Sequence, residues 1–328
     1  MPLLLFLGII LTIRVFLLGT PDPLKPENSI KNGLGFLWNP DFAALKNARV
    51  WLAAAGQVFF TLSVGIGVIL TYASYLKEED DVVLSGLTSA ATNEFAEVIL
   101  GGSIIIPAAF VFFGPEKIVE IASGGAFTLG FITMPNILSH IPFTTIFSFL
   151  WFLLLFLAGV TSSISLLQPS VAFLEDEFDI SQKKAVKIIA VVSFILMQPV
   201  IFFSGVMDEL DFWGGTFSLV VFGTIEAIIF SWIFGIDKAW EELHKGAQLK
   251  IPKFYKFIIK YITPTFLIVV LITWFIQDWM PTIMMMEVKP ESRNIIFFTR
   301  IGLIIPVSYT HLRAHETSLH LVCRLLLE

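Results

Sequence analysis

Stretches of roughly twenty apolar residues, the length a helix needs to cross a bilayer, recur along the whole chain. They fall near residues 3–18, 50–75, 83–113, 146–174, 182–204, 211–234 and 254–276, with an incomplete one at 295–307. Charged residues are only 15% of the 328, against about a quarter in an average soluble domain. Inside hydrocarbon every backbone N–H and C=O must be satisfied within the protein, so spans of this kind are helices. The sequence thus predicts an all-α polytopic membrane protein of about eight spans.

The same composition excludes several kinds of function. A net charge of −6 with no basic cluster argues against nucleic acid as a partner. The single cysteine, Cys323, allows neither a disulfide framework nor a thiolate metal site. No HExxH, GxSxG or P-loop pattern occurs, and His140 and His244 fall in expected loops or span ends. An enzyme is therefore not expected, nor is an organic cofactor.

Between the spans, 19–49 is rich in Pro and Asn and reads as a wet loop. Segment 114–145 carries Gly124-Gly125, Pro135 and Pro142, which predict a re-entrant or capping loop with short helices. Lys183, Lys184, Lys187 and the lysines from Lys238 to Lys260 hold most of the loop positive charge, which puts those loops inside. Segments 19–49, 114–145 and 277–294 are then outside. After Pro306 the apolar pattern stops, and His311, Arg313, His315 and Glu316 stand where a span should continue. Charges at the bilayer centre cost about 2.5–3.5 kcal/mol each. We therefore divide the chain into a membrane domain, 1–306, and a tail, 307–328, that reads as non-native.

Three spans carry polar chemistry. In Phe59–Gly67 two glycines and a serine weaken the helix at mid-span, at about 1 kcal/mol per glycine. An unwound stretch there would turn backbone groups toward protein or ligand; equally, the small residues could merely let helices approach. Asn93 and Glu97, four residues apart, share one face of the next span, either as a site or near the inner headgroups. Thr161, Ser162 and Ser165, beside Gly159, bring hydroxyls into an otherwise Leu/Phe/Val helix. They suit a hard monovalent cation, or back-bonding of each hydroxyl to the preceding turn.

The runs GQVFFTLSVGIGVILTYASY, VLSGLTSAATNEFAEVILGGSIIIPAA, GGAFTLGFITMP, WFLLLFLAGVTSSISLLQP, FLEDEF and MDELDFWGGT follow one another in this order. Together they resemble the neurotransmitter:sodium symporter family, in particular its bacterial LeuT-type amino-acid transporters. The resemblance implies the C-terminal portion of a LeuT-type inverted-repeat fold with one broken helix. Residues 1–306 would hold the end of the first repeat, the second repeat and the following spans, so the chain looks truncated at both ends. It also implies two sodium sites, each only partly present in this chain. Thr61 and Asn93 would contribute to one, and Ala158, Thr161 and Ser162 to the other. The substrate would meet Phe60, Thr61, Ser63, Ile66, Ser162 and Leu166. Asp211, Asp176, Tyr75 and Phe127 would belong to the gates. Glu97 would supply the negative charge that chloride brings in chloride-dependent relatives.

The function so implied is sodium-coupled symport of a small neutral amino acid by alternating access, across the cytoplasmic membrane of a prokaryote. It would belong to the parent protein, this portion being inactive alone. The alternative is a non-transporting amino-acid receptor or sensor of the same fold. Which amino acid is carried, the sodium stoichiometry and the oligomeric state are left open.

Overall fold

The computed structural model describes residues 2–303, apart from 21, 78 and 124. The tail from 307, and the end of the last expected span, lie outside the described residues. In chain order the principal helices are α1 (Pro2–Phe16), α2 (Ile30–Trp38), α3 (Ala48–Thr61), α4 (Val68–Ala73) and α5 (Val82–Ala122). There follow α6 (Met134–Ser139), α7 (Thr144–Phe178), α8 (Gln182–Phe202), α9 (Val206–Ile233), α10 (Ile236–Leu243) and α11 (Phe254–Ile283). Of these, α5, α7, α8, α9 and α11 are long and apolar enough to cross a bilayer. Residues 293–303 are also helical. The expected span at 50–75 is two helices, α3 and α4, separated by a non-helical link.

The chain forms two compact units. One holds residues up to Ala44, Leu76–Gln168 and Glu242–Ile251; the other holds Leu45–Tyr75, Pro169–Glu241 and the chain from Pro252 onward. In the first unit, Leu11 and Val15 of α1, Ile104, Ala108 and Phe110 of α5, Met134 and Ile137 of α6 and Trp151 of α7 make one buried cluster. The Trp151 indole N–H donates to the Gly130 carbonyl at 2.9 Å, so its polar edge is satisfied within the core.

The segment 19–49 departs from the wet loop read from its composition, because it contains α2. Ser29 caps this helix by accepting the Asn32 N–H. Gly33 lets it lie directly on α5: a Cβ there would sit 2.8 Å from the Cα of Pro107. The Pro and Asn content that reads as loop does not prevent this, and Gly33 alone permits the close approach. The segment 114–145 begins as expected at Gly114, where φ of 79° and ψ of 177° break the run of α5. Pro115 then restarts the helix, a position where its missing N–H costs nothing. The short helices expected in 114–145 are present as Gly125–Phe127 and α6.

In the second unit α3 packs against α9 and α11, over a core of Ala48, Leu52, Val220, Leu267, Val270 and Trp274. The start of α3 is fixed twice. Asn47 accepts the Arg49 N–H, and Gln277 of α11 accepts the Ala48 N–H at 3.0 Å. Arg49 then binds Asp278 of α11 and donates to both carboxylate oxygens of Glu287 at 2.9 Å. The guanidinium holds the Glu287 carboxyl below the usual carboxylate range, through the hydrogen bonds first and its charge second. At the other end, Pro264 removes the N–H that would serve the Lys260 carbonyl of α11. The Trp232 indole of α9 donates to that carbonyl instead.

Candidate functional site

The interruption between α3 and α4 is built from identifiable backbone bonds. The Ser63 N–H donates to the Phe60 carbonyl at 3.1 Å, and the Val64 N–H to the Phe59 carbonyl at 2.9 Å. With Ser63 at φ of 59°, this is a Schellman end to α3. Glycine is the usual residue at that left-handed position; a serine there carries a strain of about 1–2 kcal/mol. Such strain is tolerated where the side chain is needed. The next N–H, of Gly65, has no helical acceptor. It donates to the Glu226 carboxylate of α9 at 3.2 Å. Gly65 and Gly67 take φ of 79° and 76°, and α4 begins after them. A Cβ at Gly65 would meet the Leu219 carbonyl oxygen at 2.9 Å, so the link lies backbone to backbone on α9.

Phe60, Thr61, Ser63 and Ile66 therefore surround a real break in the helix, and Asp211 lies on α9 in the same unit. Tyr75 follows α4, its ring centroid 6.5 Å from that of Tyr72. Asp176 is exposed near the end of α7. In the first unit the Asn93 amide donates to the Glu97 carboxylate at 3.4 Å, as their four-residue spacing predicts. The backbone takes wider π turns at Phe95–Gly101, which contains Glu97, and at Asp211–Phe217. Such turns are frequent at functional sites.

On α7, the Thr161 hydroxyl donates to the carbonyls of Leu157 (2.9 Å) and Ala158 (3.1 Å), and the Ser163 hydroxyl to that of Gly159 (2.7 Å). This is the back-bonding pattern, but it does not consume the hydroxyl lone pairs. A donor bond to the preceding turn leaves Thr161 Oγ1 able to accept or to ligate. It also brings the Ala158 carbonyl and the Thr161 hydroxyl close enough for one small cation to touch both. Ser162 and Leu166 are exposed on the same helix. Phe127 is stacked on Phe131, with centroids 5.0 Å apart.

The sequence reading missed several charged residues. Glu226 holds the broken backbone. Glu209 and Arg300 form an ion pair, each nearly buried, with the Trp213 indole donating to Glu209 and Arg300 also bonding the Thr282 carbonyl. These two, with Arg49, Asp208, Asp211 and Glu287, line a cavity of about 370 Å³ in the second unit. The signal was available: ionisable residues inside apolar spans are functional candidates by default, and α9 carries Glu226 within SLVVFGTIEAI.

Long apolar helices, with the α3–α4 pair broken by a non-helical link and oxygen-bearing side chains on other helices, are features that many secondary transporters share. A family model for the sodium:neurotransmitter symporter family matches residues 9–314, and the chain belongs to that family. The family is one of transporters, not enzymes. An uncharacterized sodium-dependent transporter of Methanocaldococcus jannaschii is 32% identical over 272 residues, covering 81% of this chain and 53% of that protein. The sodium- and chloride-dependent glycine transporter 2 of Xenopus laevis is 26% identical over 260 residues, covering 76% of this chain and 32% of that protein. Among solved structures, MhsT in complex with L-phenylalanine superposes with a TM-score of 0.71 at 30% identity, covering 83% of this chain and 60% of that one. The chain thus spans about half the length of the archaeal relative. The LeuT-type all-α fold read from the sequence agrees with this neighbour.

Proposed function

We propose that this chain carries part of the machinery for sodium-coupled symport of a neutral amino acid, residues 1–306 being the transporter portion. The observation that carries the reading is the break between α3 and α4, with the Gly65 N–H held by a carboxylate inside an apolar helix. A helix is interrupted within a membrane only where protein or ligand replaces its lost hydrogen bonds.

In this reading Thr61 and Asn93 are ligands of one sodium, and Ala158, Thr161 and Ser162 are ligands of a second. The backbone at Phe60 and Thr61, with the Ser63 hydroxyl, receives the substrate ammonium, and Phe60 covers the substrate. Ile66, Ser162 and Leu166 face its side chain. Ile66 and Leu166 offer no counter-charge, which favours an uncharged side chain. The structural likeness to a protein solved with L-phenylalanine supports an apolar one. Sodium and substrate strengthen each other's binding reciprocally if they share ligands. The Glu97 carboxylate beside the Asn93 amide supplies a fixed negative charge, so chloride is not required. Asp211, Asp176, Tyr75 and Phe127 serve the gates, and the membrane is the cytoplasmic membrane of a prokaryote.

The test is L-phenylalanine binding as a function of sodium, with the chain expressed within the longest reading frame that contains it. Thr161→Val and Asn93→Leu are each expected to raise the sodium concentration for half-saturation about tenfold, equivalent to the loss of one charge-assisted contact of about 1.5 kcal/mol. An unchanged sodium dependence in both variants would remove these residues from the sodium sites.

A further inference from the structure

At the start of α11, on the side that the loop lysines put inside, three lysines and a group of aromatic rings form a surface for which the transport reading has no use. Lys253, Lys256 and Lys260 are spaced three and four apart at the start of α11, so they share one side of the helix. Positive charge is least favourable at this end, where the helix dipole is itself positive. No acidic residue stands in the first turn to offset it. Among the described residues, only Lys256 of the three has a hydrogen-bonded carboxylate: its Nζ lies 2.9 Å from Asp237 of α10 and over the Trp240 ring at 5.4 Å. The lysine's hydrogen bond and charge hold the Asp237 carboxyl below its ordinary range. Lys260 Nζ sits over the Tyr261 ring at 5.4 Å. Its backbone is fixed by the Trp232 indole, which occupies the carbonyl that Pro264 leaves without a partner.

Around these ammoniums the rings of Phe254, Phe257, Tyr261 and Trp232 are about half exposed or more. Phe257 and Tyr261 lie 5.3 Å apart along the helix. Aromatic rings of this kind settle at the headgroup level of a bilayer, and lysines at the cytoplasmic side meet its anionic lipids. We propose that Lys253, Lys256 and Lys260, with Phe257 and Tyr261 beneath them, bind the phosphodiester headgroup of an anionic phospholipid of the inner leaflet. The phosphate oxygens take charge-assisted hydrogen bonds from Lys253 and Lys260. Lys256 is held between Asp237 and Trp240, and the first part of the acyl chains lies along the rings.

The experiment follows thermal unfolding of the detergent-solubilised chain during titration with phosphatidylglycerol, phosphatidylcholine or inorganic phosphate. Phosphatidylglycerol is expected to raise the transition temperature saturably, and the other two are not. Each lysine is worth about fivefold in binding, so Lys253→Gln, Lys256→Gln and Lys260→Gln together raise the half-saturating phosphatidylglycerol at least tenfold. The single Lys253→Gln, which leaves the Asp237 pair intact, raises it about fivefold even if the triple variant does not fold. Replacing Lys183, Lys184 and Lys187 of α8 by glutamine is the control for net charge and leaves the response within about twofold. Equal loss in both triple variants, no loss in either, or saturation by inorganic phosphate would overturn the proposal.

Discussion

Replacing Gly65 by valine is expected to lower the thermal transition of the detergent-solubilised chain by roughly 5–10 °C. Two costs add. A β-branched residue at φ of 79° is strained by about 1–3 kcal/mol. Its Cβ would also press on the Leu219 carbonyl oxygen at 2.9 Å and the Gly223 nitrogen at 3.2 Å. Both are backbone atoms, so the link must lift from α9 instead of a side chain rotating away. Overpacking of this sort costs about 1–3 kcal/mol. Lifting also takes the Gly65 N–H away from Glu226, leaving a buried donor and a carboxylate without each other. Gly159→Ala is the matching control: nothing lies within 4 Å of its missing Cβ, and it sits in regular helix. That variant should be neutral or stabilised by less than about 1 kcal/mol. Equal losses in the two variants would show that the link does not lie on α9 as described.

A second large effect is expected at the Glu209–Arg300 pair. The side chains are 10% and 13% exposed, so neither charge is screened by water. Arg300→Ala leaves Glu209 buried with, among the described residues, only the Trp213 indole as a side-chain donor, and should cost about 3–5 kcal/mol. The double variant Glu209→Leu, Arg300→Met removes both charges and keeps the volume. It should recover most of that loss, because a buried ion pair owes much of its apparent strength to the cost of breaking it. Thermal unfolding of the two variants beside the parent chain measures both. A double variant as unstable as Arg300→Ala would mean that the polar contacts, including the bonds from Arg300 to the Thr282 and Ile283 carbonyls, matter more than the charges.

Much of this was legible in the residues because a bilayer makes strong demands. Hydropathy placed α7, α8, α9 and α11, with ends off by up to about seven residues, since apolar length is the dominant requirement on a span. The break after Thr61 was half legible: two glycines and a serine at mid-span weaken a helix, but they serve close helix packing equally well, and only the family resemblance favoured the break. The Asn93–Glu97 contact followed from helix periodicity. What escaped was decided by distant parts of the chain. Beyond the Ser29 cap, little local to Ile30–Trp38 announces a helix, because Gly33 is there for Pro107, far along the sequence. Glu226 looks like an isolated carboxylate until Gly65, 161 positions away, is found to donate to it. Arg49, beside the candidate span, gave no sign that its partners would be Asp278 and Glu287.

The central claim is that the Leu62–Gly67 link is an unwound, ligand-facing stretch of a sodium-coupled transporter. It is tested most directly by thiol accessibility at Ser63. Cys323 is the only cysteine of these 328 residues, so Cys323→Ser, with any cysteine of the longer reading frame also replaced by serine, gives a silent background into which Ser63→Cys is introduced. In membranes containing the longest reading frame that includes this chain, a water-soluble thiol reagent should modify residue 63. Sodium with L-phenylalanine should slow that modification at least about tenfold, the tenfold equivalent of 1.4 kcal/mol of protection. Potassium with L-phenylalanine should not. An unreactive thiol, or protection independent of sodium, would contradict the account.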